Sequence, residues 1–390
     1  VIFSSSRIDS QEYTFCGEKS KISGQKISFW FFDVHLRFDY NLIGSIIITR
    51  LVQSKKIIFI FPTFNGPYGG ERHCLRLADE LTRQGNEVEI WTHYFNVSCR
   101  PLLSANVKLK TMTWGLPRIH SLAVIAALFR MPRLAHLLKQ RKNIADALIV
   151  AMGWQSAYAL TSLQDTGARL VYYCLEPPRF LYDLKKMGSL TTRLSNYIVS
   201  PMIRRIDLRS VRAIKTIFTN SPETQTAITS IYGRESQVVY PGIEKDRFKK
   251  YTKSQAKEKL GLAPNTRLYL SAGKLHRRKR IDAAIDYFLT QPQGTLYIIG
   301  DGPDRNRLVS YAKEKDRSGQ RIRFLGQCSD DVVALHFQAA DYFVFMAKDE
   351  PFGLVIAEAK AAGCHIVPHD IHRPSLSWSE SAQTFMTALI

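Results

Sequence analysis

Two glutamates eight residues apart, Glu350 and Glu358, bracket the run Asp349-Glu350-Pro351-Phe352-Gly353-Leu354-Val355-Ile356-Ala357-Glu358 near the end of the 390-residue chain. Ahead of them, Asp341 to Met346 is an apolar run of strand length. Gly353 to Ala362 is a helix-forming run closed by Gly363, a residue suited to a left-handed cap. The pattern is strand, loop, helix. It places Glu350 in the loop at the strand's carboxyl end and Glu358 between one and two turns inside the helix, leaning towards its amino end. A helix start offers unpaired N–H groups and about half a positive charge, which suits a phosphate. Two carboxylates beside it accept hydrogen bonds from sugar hydroxyls. Together these are the parts that would hold a sugar nucleotide. Glutamates at a helix start also serve as capping and solubilising groups, so this reading needs support from the rest of the chain.

Four other turns carry candidate chemistry. Ser271-Ala272-Gly273-Lys274-Leu275-His276-Arg277-Arg278-Lys279-Arg280 leaves a strand and opens a helix, with five cations in the seven residues from Lys274 to Arg280. At a strand's carboxyl end such a turn reads as a phosphate clamp; a solvated basic face is the alternative. Gly300-Asp301-Gly302-Pro303 is a Gly-rich turn at an equivalent edge, shaping either a base pocket or only the turn itself. In the first half, Pro62 to Gly70 joins a strand to a helix, and Gly69-Gly70 let a backbone approach an anion or simply permit a tight turn. It is not a P-loop, because no Gly-Lys-Ser/Thr follows. Tyr172 to Arg179, again after a first-half strand, offers Glu176 and Arg179 as candidate binding residues, while Pro177-Pro178 reads equally as a rigid exit turn.

These turns need strands to hold them. From Lys56 to Phe61 the chain begins a regular alternation: strands at Glu87–Thr92, Val107–Met112, Ala147–Ala151, Leu170–Cys174, Thr216–Thr219 and Gln237–Tyr240 have helical stretches between most of them. The order breaks around Tyr240 to Ile243, and the charged stretch Glu244 to Lys259 reads as a connector plus an exposed helix. A boundary near residue 250 divides a first domain, 55–250, from a second, 251–390, whose strands are expected at Arg267–Ala272, Gly294–Ile299, Arg321–Leu325, Asp341–Met346 and His365–Val367. The fold class is α/β, two Rossmann-like doubly wound domains with one cleft between their carboxyl-terminal edges. Residues 1–54, with Val rather than Met at position 1, form an atypical extension outside the functional argument.

Composition is that of an ordinary globular protein, 45% hydrophobic and 23% charged, so there is ample core to bury. The net charge of +20 favours nucleic acid, an anionic membrane or a phosphorylated substrate. No nucleic-acid reading module accompanies it, so no nucleic-acid partner is expected. Between Pro101 and Lys142 the basic residues Lys108, Lys110, Arg118, Arg130, Arg133, Lys139, Arg141 and Lys142 are interleaved with Trp114, Phe129 and aliphatic residues. This reads either as a face resting on an anionic membrane or as an ordinary domain helix with a solvated basic side. Cys16, Cys74, Cys99, Cys174, Cys328 and Cys364 lack the short spacing of zinc or redox sites. With no continuous apolar run of about 18 residues and no signal-peptide order, a cytoplasmic protein is expected, with peripheral placement on the inner face of the membrane as the extension of the basic-face reading.

Taken as a set, these features resemble the large retaining glycosyltransferase family four, with its GT-B architecture. The resemblance runs from about Lys55 to Val367 and rests on Gly69-Gly70, Thr219-Asn220-Ser221, Val238 to Ile243, the basic turn, Gly300 to Pro303, and Glu350 with Glu358. It implies a hexose donor linked to GDP or UDP, with mannose from GDP by family habit, and a carbohydrate or lipid-linked acceptor. It implies that Glu350 contacts the donor hexose, that Glu358 takes the ribose hydroxyls, and that Lys274 and Lys279 neutralise the diphosphate. Gly353, Phe352, Leu354, Gly273, Gly300 and Gly302 complete the donor side, and no metal or other cofactor is needed. The family usually has Arg where Lys274 stands, and His where Leu175 and the Met152-Gly153-Trp154 loop stand, so no catalytic histidine is assigned. The family continues with helices that return to the first domain; here Pro368 to Pro374 follows and the chain stops at Ile390, so an incomplete second domain without that helix is expected. A non-catalytic nucleotide-sugar binder, an inactive truncated transferase and a nucleotide-sugar epimerase stay open as alternatives.

Overall fold

The computed structural model describes residues 55–112, 120–182, 190–348, 350–369 and 373–390, and leaves out the side chains of 120–129, 179, 180 and 190–200. From residue 55 onward the described residues belong to one compact unit. The extension expected over residues 1–54 lies outside the described residues, as do Asp349, Trp114 and Arg118.

The strands in chain order are β1 Lys56–Ile60, β2 Thr63–Phe64, β3 Glu87–Thr92, β4 Tyr94–Phe95, β5 Lys108–Thr111, β6 Leu148–Met152, β7 Arg169–Cys174, β8 Thr216–Thr219, β9 Gln237–Val238 and β10 Gly242–Ile243. They continue with β11 Leu268–Ala272, β12 Thr295–Ile299, β13 Ile322–Gly326, β14 Tyr342–Val344, β15 His365–Val367 and β16 Leu376–Ser377. Seven form one sheet in the order β5-β3-β1-β6-β7-β8-β9, and five form another in the order β13-β12-β11-β14-β15. Every pairing in both is parallel. Helices cover both faces, which is why central strands such as Leu148-Ile149-Val150-Ala151-Met152 are apolar throughout. Ile57 and Phe59 belong to one core layer and Ile58 and Ile60 to the other. The second sheet is likewise sandwiched between two layers.

In each sheet the chain builds outward from its first strand, then returns and builds the other way. The reversal falls between β1 and β6 in one sheet and between β11 and β14 in the other. Loops leaving the strands on either side of such a reversal diverge and open a crevice, the usual ligand position in parallel sheets.

The expectation that no helix returns to the first domain is corrected by residues 376–390. β16 pairs with β10, and helix Trp378–Thr387 packs against helix Gly69–Arg83. Ser377 caps that helix in a reciprocal capping box with Glu380. Its apolar stripe carries Ala382, Phe385 and, just beyond, Leu389 into the core of the first sheet. The Phe385 ring lies 5.5 Å from Phe218, 6.2 Å from Tyr173 and 6.5 Å from Phe59. The boundary that assigned 251–390 to the second domain is therefore wrong for its last helix: an amphipathic segment buries its stripe where a partner surface is available, and that surface belongs to the first sheet.

Among the described residues no helix is long and apolar enough to cross a membrane. In helix His120–Lys139 the apolar residues Met131, Leu134, Ala135 and Leu138 are buried in the first domain's core while Leu137 is exposed, which favours the ordinary-helix reading of that basic stretch. Phe385 is fully buried, so Phe385→Ala is expected to destabilise the chain by about 3–5 kcal/mol, measured by urea unfolding of the full-length protein.

Candidate active site

The second sheet's crevice lies between the turn after β11 and the loop after β14, and these bring the basic run and Glu350 together. Lys279 Nζ sits 2.8 Å from Glu350 Oε2. The basic turn is a built feature. Residues Arg277–Lys279 form a single tight helical turn that His276 caps through Nδ1, accepting from the Arg278 N–H at 3.3 Å. Arg280 ends it in the left-handed region, φ 50°, a conformation that costs a non-glycine residue about 1–2 kcal/mol and recurs at functional turns.

The Gly300 to Pro303 turn supports this run from behind. The Leu275 N–H donates to the Asp301 carbonyl at 2.9 Å, and Asp304 N–H donates to the Leu275 carbonyl at 3.2 Å. Gly273 N–H reaches the Ile299 carbonyl at 3.0 Å. A Cβ on Gly300 would stand 2.0 Å from the Gly273 carbonyl oxygen, and one on Gly302 would stand 2.3 Å from that of Leu275. Two backbones pack with no room for a side chain, so of the two readings of this turn the structure supports the turn-shaping one directly.

Gly353, φ 72°, precedes helix Leu354–Ala361, whose start has no side-chain cap. The Phe352 ring is buried with Ile243 and Ala357 and faces Tyr240 at 6.1 Å, and the residue's carbonyl accepts from Arg373 Nε at 2.8 Å. The ring thus forms an apolar anchor beneath Glu350. Leu354 packs against the same small cluster.

Across the crevice stand loops of the first sheet. Helix Gly69–Arg83 also starts without a side-chain cap, and a Cβ added at Gly70 would stand 3.3 Å from the Leu175 side chain. Lys274 Nζ lies 4.9 Å from the centre of the Tyr68 ring, a cation–π contact. Burial pushes the nearby Glu71 carboxyl above its ordinary range, against hydrogen bonds from its own and the Asn65 backbone and the charge of Lys274. Glu176 meets Arg278 Nη2 at 3.1 Å. Arg179 opens the short helix Arg179–Tyr182 on the same loop, and its side chain is not described. A cavity of about 500 Å³ continues from Glu350 between Glu176, Pro177, Glu223, Ile231 and Phe345, within the size range of small-molecule sites.

Glu358 stands apart from Glu350. It keeps some accessible surface but is enclosed by protein, and among the described residues no donor hydrogen-bonds its carboxylate. Desolvation pushes it up to about 7; Arg72 and Arg247 pull it down, while Asp330 and Glu244 push it further up. Those four neighbours escaped the reading of the sequence, although Arg72 directly follows the Gly69-Gly70-Glu71 run that drew attention. Among the described residues no group of three or more His, Cys, Asp or Glu side chains is placed to hold a metal ion.

Two doubly wound sheets with facing crevices and a terminal helix that returns to the first sheet define the GT-B fold. Solved structures agree on the fold. Sucrose-phosphate synthase from Thermosynechococcus elongatus superposes with TM-score 0.64 at 18% identity, over 86% of this chain and 90% of that one. WaaG, a glycosyltransferase involved in lipopolysaccharide biosynthesis, gives 0.62 at 18% over 85% and 90%. Anabaena HepE, solved with UDP and glucose, gives 0.59 at 20% over 86% and 90%. Two successive family models match: Glycosyltransferase Family 4 over residues 67–247 and Glycosyl transferases group 1 over residues 252–377. The chain belongs to that family of glycosyltransferases. It is 28% identical over 144 residues to the alpha-monoglucosyldiacylglycerol synthase of Streptococcus pneumoniae, a match covering 35% of this chain and 32% of that protein. It is 31% identical over 135 residues to the D-inositol 3-phosphate glycosyltransferase of Mycobacterium ulcerans, covering 33% and 29%. The matched stretch is thus about a third of each curated relative.

The glycine contacts separate shape from mere backbone freedom. Gly363 also has positive φ, 79°, but an added Cβ there meets nothing within 4 Å. Gly363→Ala is expected to cost about 1–2 kcal/mol and leave nucleotide affinity unchanged. Gly300→Ala is expected to displace the basic turn and weaken nucleotide binding at least about tenfold, with calorimetric titration of both variants as the measurement.

Proposed function

We propose that the chain transfers a hexose from a nucleotide-diphosphate sugar to a carbohydrate or lipid-linked acceptor, with retention of configuration and without a divalent metal. The observation that carries this reading is the Lys279–Glu350 contact, which joins the phosphate clamp to the sugar-side carboxylate across the switch point of the second sheet. Breaking the anomeric C–O bond leaves an oxocarbenium-like sugar and a nucleoside diphosphate. Lys274, Lys279 and the uncapped starts of helices Gly69–Arg83 and Leu354–Ala361 supply positive potential to the diphosphate, the role a metal ion plays elsewhere. Gly273 and Gly353 let the backbone approach the donor, with the Leu354 N–H opening the helix, and Gly300 and Gly302 hold the turn that presents the lysines.

Glu350 accepts hydroxyls of the donor hexose, and Glu358 those of the ribose. Glu176, Arg179 and the cavity beyond Glu350 form the acceptor side. The net charge of +20 draws the enzyme to an anionic surface, where a lipid-linked acceptor would be presented at the inner face of a membrane. The donor is GDP- or UDP-linked. Relatives named for glucosyl and inositol phosphate acceptor chemistry and a neighbour solved with UDP and glucose support a hexose without choosing between GDP-mannose and UDP-glucose.

The purified chain, given GDP-mannose or UDP-glucose with an acceptor extract, should consume donor at a rate that falls about 10²-fold or more in Glu350→Ala and in Lys279→Met, and that is unchanged by a chelator. Consumption as fast without acceptor as with it would point to an epimerase or hydrolase instead; donor binding without any turnover would leave only a sugar-nucleotide binder.

A further inference from the structure

Six charged side chains from four stretches converge where the two halves of the molecule meet. Arg72 and Arg76 come from helix Gly69–Arg83, Glu244 and Arg247 from the connector after β10, Asp330 from the start of helix Asp330–Ala339, and Glu358 from helix Leu354–Ala361. Arg72 places both terminal nitrogens on Asp330, at 2.9 and 2.8 Å, the two-pronged geometry that fixes a guanidinium most firmly. Arg247 reaches the same carboxylate at 3.0 Å and Glu244 at 2.7 Å, and Arg76 also pairs with Glu244. Asp330 and Glu244 therefore each have two arginine partners. Glu358, enclosed beside them, accepts no hydrogen bond among the described residues. Asp331, largely exposed, meets Arg247 Nε at 3.7 Å on the solvent side of the cluster.

We infer that Arg72 is a positioning residue for donor recognition: fixed by Asp330, its charge keeps Glu358 an anion able to accept two ribose hydroxyls, and this makes donor affinity depend on contact between the two halves. The inference rests on the reading of Glu358 as the ribose-binding carboxylate.

Desolvation opposes ionisation of Glu358 and carries it to about 7 with Arg72 in place. Arg72 is the stronger of the two cations pulling it down, and without it Arg247 alone would face the two acids Asp330 and Glu244. Of the other elements against helix Leu354–Ala361, the turn Lys245–Lys249 also carries Lys245, paired with Glu380, and Asp246 and Lys249; β10 is Gly242–Ile243, and His365 of β15 faces the Tyr342 ring at 5.9 Å. A protonated carboxyl becomes a donor on one oxygen and cannot accept from both hydroxyls of a diol as an anion does. Donor affinity should thus rise as pH climbs through the titration of Glu358, and losing Arg72 should move that rise upward.

The test measures dissociation constants of the full chain between pH 5.5 and 9 for UDP or GDP, whichever binds more tightly, and for its 2′,3′-dideoxy analogue. The ratio of the two constants cancels titration of the phosphates and reports the ribose contact alone. In the wild type the ratio should grow with pH, pass its midpoint near about 7 and level off roughly one pH unit above that. Arg72→Met should shift that growth upward by about one pH unit, so the ribose contribution is about tenfold lower near pH 6.5 and nearly recovered at pH 9. Arg72→Lys, which keeps the charge, should stay near the wild-type curve, and Glu358→Gln should give a flat, low ratio. If Arg72→Met does not fold, Arg72→Gln, which keeps a hydrogen bond to Asp330 without the charge, gives the same reading. An equal, pH-independent loss in the Met and Lys variants would make Arg72 merely structural and overturn the inference. A wild-type ratio near one, untouched by Glu358→Gln, would overturn the ribose reading itself and the inference with it.

Discussion

Both large sheets are wholly parallel, and that constraint organises the rest of the molecule. A parallel sheet delivers the carboxyl ends of all its strands to one edge, so every loop that leaves a strand towards a ligand is on the same side. The reversal of build direction between β11 and β14 then decides which two of those loops diverge. The basic turn follows one of these strands and the Glu350 loop follows the other. Lys279 and Glu350, 71 residues apart in sequence, come within 2.8 Å because of strand order, with no direct connection between their loops.

Two kinds of contact join the halves, and they do different work. Helix Trp378–Thr387 contributes Phe385 and Ala382, fully buried in the first core, and burial of that area is the larger contribution to holding the halves together. The ionic contacts are more exposed: Arg278 with Glu176, Arg373 Nη2 with Glu223 at 2.7 Å, Lys245 with Glu380 at 2.7 Å. Pairs of this kind contribute about 0–1 kcal/mol each to stability. Their directional hydrogen bonds instead specify how the two edges face one another across the crevice. The Arg72–Asp330 fork is the best placed of them, being two-pronged and shared with Arg247.

What could be read in the sequence followed from local physics. Strands buried on both faces must be apolar throughout, so β1, β6 and β11 stood out as runs, and turns that approach an anion or another backbone need glycine, so Gly69, Gly273, Gly300 and Gly353 stood out as well. Glu350 was legible because a charged residue after a buried strand has few places to go. Partnerships were not legible. Arg72 and Asp330 are 258 residues apart, and each in isolation resembles any charged residue at a helix start. The stripe of the terminal helix announced that one face is buried but not against what, and the chain's apparent continuation within the second domain suggested the wrong partner. Phe352 was legible by its position beside Glu350, but not the burial of its ring against Ile243 and Ala357, which makes it an anchor of the corner.

The two glutamates that opened the sequence reading are separated by eight residues and end in unlike surroundings, and the difference bears on how the proposed reaction would be organised. Glu350 is held by Lys279, and an ammonium has three donors, so one can remain on Glu350 while the others address phosphate oxygens. A sugar hydroxyl on Glu350 and a diphosphate on Lys279 would then be held by one rigid pair from either side of the bond that breaks, which is how positioning lowers a barrier without a covalent step. Glu358 has no such lysine. Its ionisation depends on arginines at a distance, two of them anchored by other acids, and burial works against it. A hydroxyl acceptor of that kind is strong when charged and weak when not, so in this reading Glu350 provides a fixed grip on the sugar, while the grip of Glu358 on the nucleotide depends on whether the two halves are docked.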